Sequence, residues 1–555
     1  MDPHPYGWLS ILPPIIAIVL AVVTRRAVLS LLLGIFAGAV VTAKGNLLTA
    51  GYDFFEVHLW PTLIDAGKMR VFAFTLLMGA MVGVISRGGG MQGLIQKLSP
   101  LAKTRRGGQL TTWLLGWVIF FDDYANTILL GNTLRPLCDR LRISREKLAY
   151  LVDSTAAPIA GMALISTWVA VEIDYIREGL DNVAGAGSVS ALDLFVGSIP
   201  YRFYVLGALL FVPLLAIFGR EFGPMLEAER VCAAGQTSKG YVAADPDEDA
   251  IDDTKGRWFN AAIPIAVMLA VVIWLLLVTG RQALGDGAAD ASLRDIFGSA
   301  DSPLALLYGA LAGLVVAGLL CRVQGILNLG TIGKAAGNGA KVVLPALAIL
   351  WCASTLSRQT GNKSVAGESS PIAQKYKFDD HRLYTGEYMA ELVLPEKDAA
   401  NSLTIKLLPT IVFVLAAVLA FATGTSFGTM GILVPMVVSL VCPLVTTDGV
   451  LDPSHPILLA SLASVLAGAV FGDHCSPISD TTILSSQASG CDHVAHVVTQ
   501  MPYAVVVGAV AILLGTLPIG WNVPVAILLP IQAIALVVVV RMLGKQVDGE
   551  PKIAT

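Results

Sequence analysis

Two short stretches place ionisable side chains between long apolar runs: FFDDYANT, from Phe120 to Thr127, and FGDHCSPISDTT, from Phe471 to Thr482. The first offers Asp122, Asp123, Asn126 and Thr127; the second offers Asp473, His474, Ser476, Asp480 and Thr481. Carboxylate, amide and hydroxyl oxygens are the ligands that a small hard cation takes, and carboxylates and imidazole also exchange protons. Two further polar breaks repeat the theme. LVDSTAAP, Leu151 to Pro158, supplies Asp153, Ser154 and Thr155, and its Pro158 removes a helical hydrogen bond. ATGTSFGT, Ala422 to Thr429, supplies Thr423, Thr425, Ser426 and Thr429 without charge, and its Gly424 and Gly428 permit unusual backbone angles.

A carboxylate at the middle of a membrane helix costs about 2.5 to 3.5 kcal/mol on insertion scales, so Asp122, Asp123, Asp153, Asp473 and Asp480 need compensation or use. The bland alternative is that these acids cap helix ends at headgroup level. For His474 two roles stay open, carrying a proton or only bonding a carboxylate. Glu172 and Asp174 are expected to be solvated at the outer end of a span. DHVAH, Asp492 to His496, has two histidines at helical spacing but no third ligand, so no metal is expected there.

The elements that position these groups are membrane spans. Of the 555 residues, 55% are hydrophobic and 14% charged, with mean hydropathy +0.71, which describes a polytopic membrane protein. Apolar runs of membrane-crossing length include Trp8 to Val23, Val71 to Ile85, Phe203 to Phe218, Phe259 to Val278, Leu304 to Leu320, Ile405 to Phe421 and Val523 to Val540. The N-terminus carries Asp2 and no basic segment, so the first run is expected to be a retained span. The 7 cysteines are scattered and form no CxxC, so neither disulfides nor a thiolate metal site is expected. A net charge of -4 without a basic tail argues against a nucleic-acid partner; membrane lipid is the surrounding one.

The two halves match in order, a sign of duplication. Trp8 with Pro14 corresponds to Trp258 with Pro264, Gly34 and Gly38 to Gly309 and Gly313, and Ser86-Arg87 to Ser357-Arg358. PIAGMALIS (Pro158 to Ser166) corresponds to PISDTTILS (Pro477 to Ser485), and Pro200-Tyr201 to Pro502-Tyr503. Lys and Arg concentrate in cytoplasmic connections, which puts Arg25, Arg26, Arg87 to Arg106, Arg140 to Lys147 and Arg220 to Arg257 inside. The N-terminus is then outside, the C-terminus inside, and the second repeat is inverted. Because both ends of 110–137 are basic, that stretch should be a re-entrant hairpin turning near Asp122 to Thr127; 404–444 is its counterpart, turning near Thr423 to Thr429.

The expected fold is therefore all-α: a first inverted repeat over 1–257 (hairpin about 110–137, broken span about 148–173), a second over 258–520 (hairpin about 404–444, broken span about 457–486), and an extra span over 521–555. That makes about eleven transmembrane helices plus two hairpins, taking about 20 residues per span. In the second broken span Pro477 is expected to open the helix, with Asp480 where the first repeat has Gly161. The loop from Arg358 to Ser402 is expected outside although it carries Lys363, Lys375, Lys377 and Arg382.

FFDDYANTILLGNTLRPLCD with LVDSTAAPIAGMALISTW, and GTSFGTMGILVP with VFGDHCSPISDTTILSS, resemble segments of the NhaC-type Na+/H+ antiporter family within the ion transporter superfamily, over about residues 8 to 520. The resemblance implies a sodium/proton antiporter of the bacterial inner membrane, inverted repeats with paired hairpins, an elevator-like moving domain and a homodimer. It also implies relatives that exchange small organic acids, and the Arg358 to Ser402 loop is atypical for the family.

The preferred expectation is Na+/H+ antiport with no cofactor beyond the transported ions. Asp123, Asn126 and Thr127 with Asp480 and Thr481 are the sodium ligands, and Asp122 or Asp473 with His474 is the proton-exchanging group. The alternative is coupled transport of a small organic anion or amino acid, its carboxylate held by half-helix N-termini and by Ser154, Thr155 and Ser426. An intramembrane hydrolase would need a motif such as HExxH or GxSxG, and neither accompanies these residues; a channel is equally disfavoured.

Overall fold

The computed structural model describes residues 4–547 except 25, 99–101, 121, 182, 184–188, 243–256, 286–295, 297–299, 361–374, 386–387, 389–402, 448–449 and 478. The described chain is almost wholly helical. Its helices are α1 (Leu12–Thr24), α2 (Ala27–Thr42), α3 (Ala66–Arg87), α4 (Arg105–Val118), α5 (Asp123–Arg140), α6 (Arg145–Ala160), α7 (Thr167–Asp181), α8 (Phe203–Phe218), α9 (Phe259–Leu284), α10 (Ser302–Val323), α11 (Leu329–Val342), α12 (Leu344–Thr360), α13 (Leu403–Thr423), α14 (Ser426–Leu444), α15 (Pro456–Cys475), α16 (Asp480–Ser489), α17 (His493–Ala511) and α18 (Val525–Leu543), with shorter pieces between.

Among the described residues 8 helices are long and apolar enough to cross a membrane, or up to 10 if each bent pair is one span. Burial separates lining from core. In α9 28% of the span is buried and in α18 22%, whereas α15 is 89% buried and α14 83%. Lipid-facing helices need an apolar outer surface, while inner helices can carry polar groups that neighbours satisfy. α6 is the extreme case: every residue from Arg145 to Ala160 is buried.

Two polar turns interrupt the chain where the sequence suggests hairpins. α4 ends at Val118 and α5 begins at Asp123; α13 ends at Thr423 and α14 begins at Ser426, with Gly424 at φ +68° between them. Two interrupted spans follow. α6 and α7 are separated by 161–166, and α15 and α16 by 476–479.

The first of these breaks lies later than the sequence suggests, because α6 continues through Pro158 to Ala160. Proline removes one backbone donor, and a helix packed on all sides absorbs that loss. The chain leaves the helix only at Gly161, whose carbonyl accepts Nη1 of Arg202 at 2.5 Å, and Ser166 then bonds the Val169 amide at 3.0 Å to start α7. Pro477 likewise sits inside the second break; α16 begins at Asp480 after Ser479.

Contacts fix the directions of these helices. Arg145 Nη1 reaches the Ser489 carbonyl at 3.0 Å and Asp153 meets Ser485 at 3.2 Å, so α6 and α16 are antiparallel. α5 and α6 are joined by a short turn and are antiparallel too, with Asn126 reaching the Thr155 carbonyl at 3.5 Å. α5 and α16 are therefore parallel. They touch at Gly131, where a Cβ would come within 2.6 Å of Ala488. Seven residues earlier on each lie Tyr124 and Thr481, so at 1.5 Å rise per residue the two helices start at one level.

α7 and α14 repeat the arrangement. Trp168 and Phe427 have ring centroids 4.8 Å apart, and a Cβ on Gly179 would lie 2.6 Å from that of Val438, so these helices also run parallel from a common level. The hydroxyl of Thr167, opening α7, donates to Asp122 beside the start of α5 at 3.1 Å. Beyond the break α6 and α7 pack against different neighbours, so α7 runs on away from α6. The N-termini of α5 and α16 thus meet those of α7 and α14 head to head.

The last strand, Lys545–Gln546, pairs antiparallel with Arg220–Glu221, and Lys147 near the start of α6 lies 2.8 Å from Glu221. Beside the far end of α7, Lys68 binds Asp174 at 2.6 Å and also Glu178. There the Leu383 amide bonds the Gln359 carbonyl at 2.8 Å, Thr385 bonds Ser10 at 2.7 Å, and His4 bonds the Tyr384 carbonyl at 3.0 Å. The chain's first described residues and its last therefore lie on opposite faces. Part of the Arg358 to Ser402 loop is packed, since Arg382, Leu383 and Thr385 are buried; the rest of it lies largely outside the described residues.

Candidate functional site

A centre forms where the four helix N-termini meet. Each N-terminus carries unbonded amides and the positive end of a helix dipole, equivalent to about half a charge, so the acids there are partly neutralised before any ion arrives. Asp122, Asp123, Asn126 and Thr127 occupy the start of α5 and are all buried. Asp122 and Asp123 line a cleft with Thr75, Thr167, Leu347 and Phe427.

Asn126 holds the hairpin shut. Its amide nitrogen donates to the Gly116 carbonyl at 3.0 Å and the Ile119 carbonyl at 3.1 Å, satisfying the end of α4. That fixes the orientation of its amide and turns its oxygen the other way. Asn126 Oδ1 and Thr127 Oγ1 are buried without a hydrogen-bond partner among the described residues. Buried polar atoms are rarely left so unless something else binds them.

Asp473 lies at the end of α15 and accepts both the amide (3.0 Å) and the hydroxyl (2.5 Å) of Ser426 at Oδ2. Its carbonyl accepts the Ser476 amide and the Thr482 hydroxyl, both at 3.0 Å. Ser476 donates to the Phe421 carbonyl at 2.7 Å, tying the second break to the second hairpin. Thr481 is buried and shares a bond with Ser479 at 3.0 Å. Asp480 opens α16; its side chain lies outside the described residues.

Asp153 gathers a second group of partners. It is fully buried on α6, and its oxygens meet Ser485 at 3.2 Å, Thr482 at 3.4 Å, Gln500 at 2.5 Å and His496 at 3.5 Å. Gln500 also donates to the His474 carbonyl at 3.0 Å, and His474 Nδ1 shares a bond with the Tyr204 hydroxyl at 2.8 Å.

The hydroxyls nearby divide by use. Ser426 serves Asp473, whereas Thr155 donates to Leu151 and Val152 of its own helix, and Thr429 donates to the Thr425 carbonyl. Thr425 caps α14 by accepting the Gly428 amide at 3.3 Å. Ser154 is buried beside the cavity that Tyr204 and His474 line. The pairing of Asp473 with His474 does not form as a side-chain unit. Adjacent helical residues point about 100° apart, so Asp473 faces α14 and His474 faces α8.

Two other positions differ from expectation. Glu172 and Asp174 are buried, not solvated: Glu172 lies 2.9 Å from Arg202, and Asp174 pairs with Lys68. DHVAH belongs to the start of α17, where His496 is fully buried against Asp153. Gln500, one turn further along the same helix face, completes the group. The spacing from His496 to Gln500 is a helical signal in the sequence, but only packing reveals that this face meets α6. Among the described residues no cluster could hold a metal through three or more His, Cys, Asp or Glu side chains.

Comparison with known proteins gives this site a context. Residues 159–359 and 396–521 match the profile of the Na+/H+ antiporter family. An uncharacterized protein of Haemophilus influenzae is 30% identical over 547 residues, covering 97% of this chain and 95% of its own. A malate-2H(+)/Na(+)-lactate antiporter of Bacillus subtilis is 34% identical over 84 residues, 15% of this chain and 16% of its own. Among solved structures, the YdaH transporter of Alcanivorax borkumensis superposes with TM-score 0.51 at 15% identity, over 86% of this chain and 90% of that one, a likeness of fold.

Proposed function

The chain belongs to the Na+/H+ antiporter family, and from that premise we propose that it exchanges Na+ for H+ by alternating access at the convergence of the four helix N-termini. It is a secondary transporter and not an enzyme. The observation that carries the sodium assignment is the pair of buried, unpartnered oxygens on Asn126 and Thr127, next to Asp123. With α16 starting at Asp480 and Thr481 at the same level, the residue types gathered here are those whose oxygens a hard cation takes.

The proton-exchanging group is assigned to Asp153 with His474, linked through Gln500, in place of Asp122 or Asp473 with His474. The Asp473 carboxylate is already engaged by the amide and hydroxyl of Ser426 at Oδ2. Asp153, reached by imidazoles from α15 and α17, has partners that can share a proton. Two parallel helix pairs, α5 with α16 and α7 with α14, support the inverted-repeat organisation. Chain ends on opposite faces, with Arg105, Arg140, Arg142 and Arg145 on the C-terminal one, support a cytoplasmic C-terminus and an outer N-terminus in a bacterial inner membrane.

The test is reconstitution. A Na+ gradient across proteoliposomes should drive a pH change with no organic solute present, and Asp123→Asn should abolish it. A wild-type protein that moves no protons under a Na+ gradient would overturn the proposal.

The partial match to a malate/lactate exchanger favours a second reading, in which a small carboxylate is carried with Na+. Helix N-termini suit a carboxylate as well as they suit ionised acids. Strict dependence of Na+ movement on added malate or lactate would select it.

A further inference from the structure

We infer that protons pass between the Arg-rich face and the Asp153 centre along a tyrosine-lined cavity that ends at Glu221. This inference rests on the Na+/H+ reading above and adds the route. The cavity is lined by Tyr150, Ser154, Tyr204, His474, Gln500 and Tyr503, with apolar residues of α8 and α17 completing its wall. A polar lining is unusual in a core where α8 and α17 otherwise present alanine, valine and leucine.

Each end of the cavity meets a proton-holding group. At the inner end Tyr204 bonds His474 at 2.8 Å, the His474 ring lies beside Asp153, and Gln500 joins the His474 carbonyl to the Asp153 carboxylate. At the outer end the Tyr503 hydroxyl donates to one oxygen of Glu221, and Lys147 Nζ lies 2.8 Å from the other. Tyr150 lines the same cavity, its ring edge-on to Tyr503 at 5.0 Å. Glu221 lies just beyond α8, next to the strand pairing with Lys545–Gln546, and burial pushes its carboxyl above the usual range. A carboxyl so raised holds a proton nearer to neutral pH.

A buried Lys–Glu pair also has a structural use as a brace between α6 and the segment after α8. A brace, though, gives no account of a cavity whose lining tyrosines bond Glu221 at one end and a histidine at the other. Transfer along them leaves no tyrosine charged. Tyr204 gives its hydroxyl proton to His474 Nδ1 as its oxygen receives one from a water in the cavity, and Tyr503 gives its proton to that water while taking one from a protonated Glu221. The reverse sequence returns a proton from the centre to the face.

The experiment uses the full chain in proteoliposomes with two readouts: Na+-driven proton movement, and exchange of labelled Na+ for Na+, which moves no net proton. Tyr204→Phe and Tyr503→Phe keep the rings and remove the hydroxyls. Each should slow proton movement roughly a hundredfold or more, the scale of a lost proton-transfer group, while Na+/Na+ exchange stays at the wild-type rate. Glu221→Gln should behave the same way, with its melting temperature separating loss of the brace from loss of the relay. Wild-type proton movement in both tyrosine variants overturns the route, and so does an equal fall in both readouts. If the wild-type protein exchanges Na+ but moves no protons, it is the Na+/H+ reading that fails, and the route fails with it.

Discussion

Ser426 grips Asp473 twice at one oxygen: its hydroxyl donates to Oδ2 at 2.5 Å and its amide at 3.0 Å. The first residue of α14 is thereby locked to the last turn of α15, and the second hairpin cannot shift against the second broken span without breaking both bonds. Ser426→Ala keeps only the amide bond. A hydrogen bond to a charged group contributes about 1.5 to 3 kcal/mol, so this variant should lose that much stability in denaturation of the detergent-solubilised protein. Asp473→Ala, which orphans both donors, should lose more.

Thr167 and Asp122 form the equivalent clasp in the first half, at 3.1 Å. Thr167→Val keeps the shape and removes the donor. Losing about 1 kcal/mol of orientation for Asp122 should raise the half-saturating Na+ concentration for antiport roughly fivefold, with Thr167→Ser near wild type. An unchanged Na+ dependence in the valine variant would detach Asp122 from the ion site.

Gly131 allows α5 and α16 to touch, since any Cβ there falls 2.6 Å from that of Ala488. Gly131→Ala should destabilise by about 1 to 3 kcal/mol through overpacking. Adding Ala488→Gly removes that Cβ but leaves the residue's backbone carbon at 2.8 Å and its oxygen at 3.0 Å, so the double variant should recover only part of the loss, a coupling between touching residues that thermal unfolding of all four proteins would measure.

The Arg202–Glu172 pair is buried on both sides, and Arg202 also holds the Gly161 carbonyl at the first break. Removing one partner of such a pair costs about 3 to 5 kcal/mol because the other charge is left unpaired. Arg202→Met alone should therefore be poorly folded, while Arg202→Met with Glu172→Gln should recover expression and melting temperature but not full transport, because the Gly161 carbonyl loses its donor.

Sodium itself should stabilise the folded protein. A ligand at a hundred times its dissociation constant adds about 2.7 kcal/mol, so the melting temperature should rise with NaCl and not with an equal concentration of choline chloride. Asp123→Asn should lose the difference while keeping the baseline.

Much of this arrangement was legible because polar residues in an apolar chain stand out. The two hairpin turns lie where their neighbours suggest, with Asp122, Asp123 and Asp473 buried beside the interruptions and Asp153 buried within the unbroken α6. At Pro158 packing outweighs one missing amide: α6 is enclosed on every side and stays helical for two more residues. Gly161 and Ser166 were the better local signals. His496, Gln500 and Tyr204 were missed for another reason. Each belongs to an ordinary helical pattern, and its polar face becomes meaningful only when α17 and α8 pack beside α6 and α15. The pairing of Glu172 with Arg202 and of Asp174 with Lys68 is equally long-range, and no spacing along the chain encodes it.

The shortness of α16 has an electrical consequence. Ten residues from Asp480 to Ser489 span about 15 Å, half of a hydrocarbon layer about 30 Å thick. An ion arriving at Asp480 from the Arg-rich face would then cross about half of the membrane field, which amounts to roughly 1.2 kcal/mol per charge for each 100 mV. Occupancy of the centre would depend on voltage as well as on concentration, so a resting cell would load it from its two sides with unequal ease even at equal sodium.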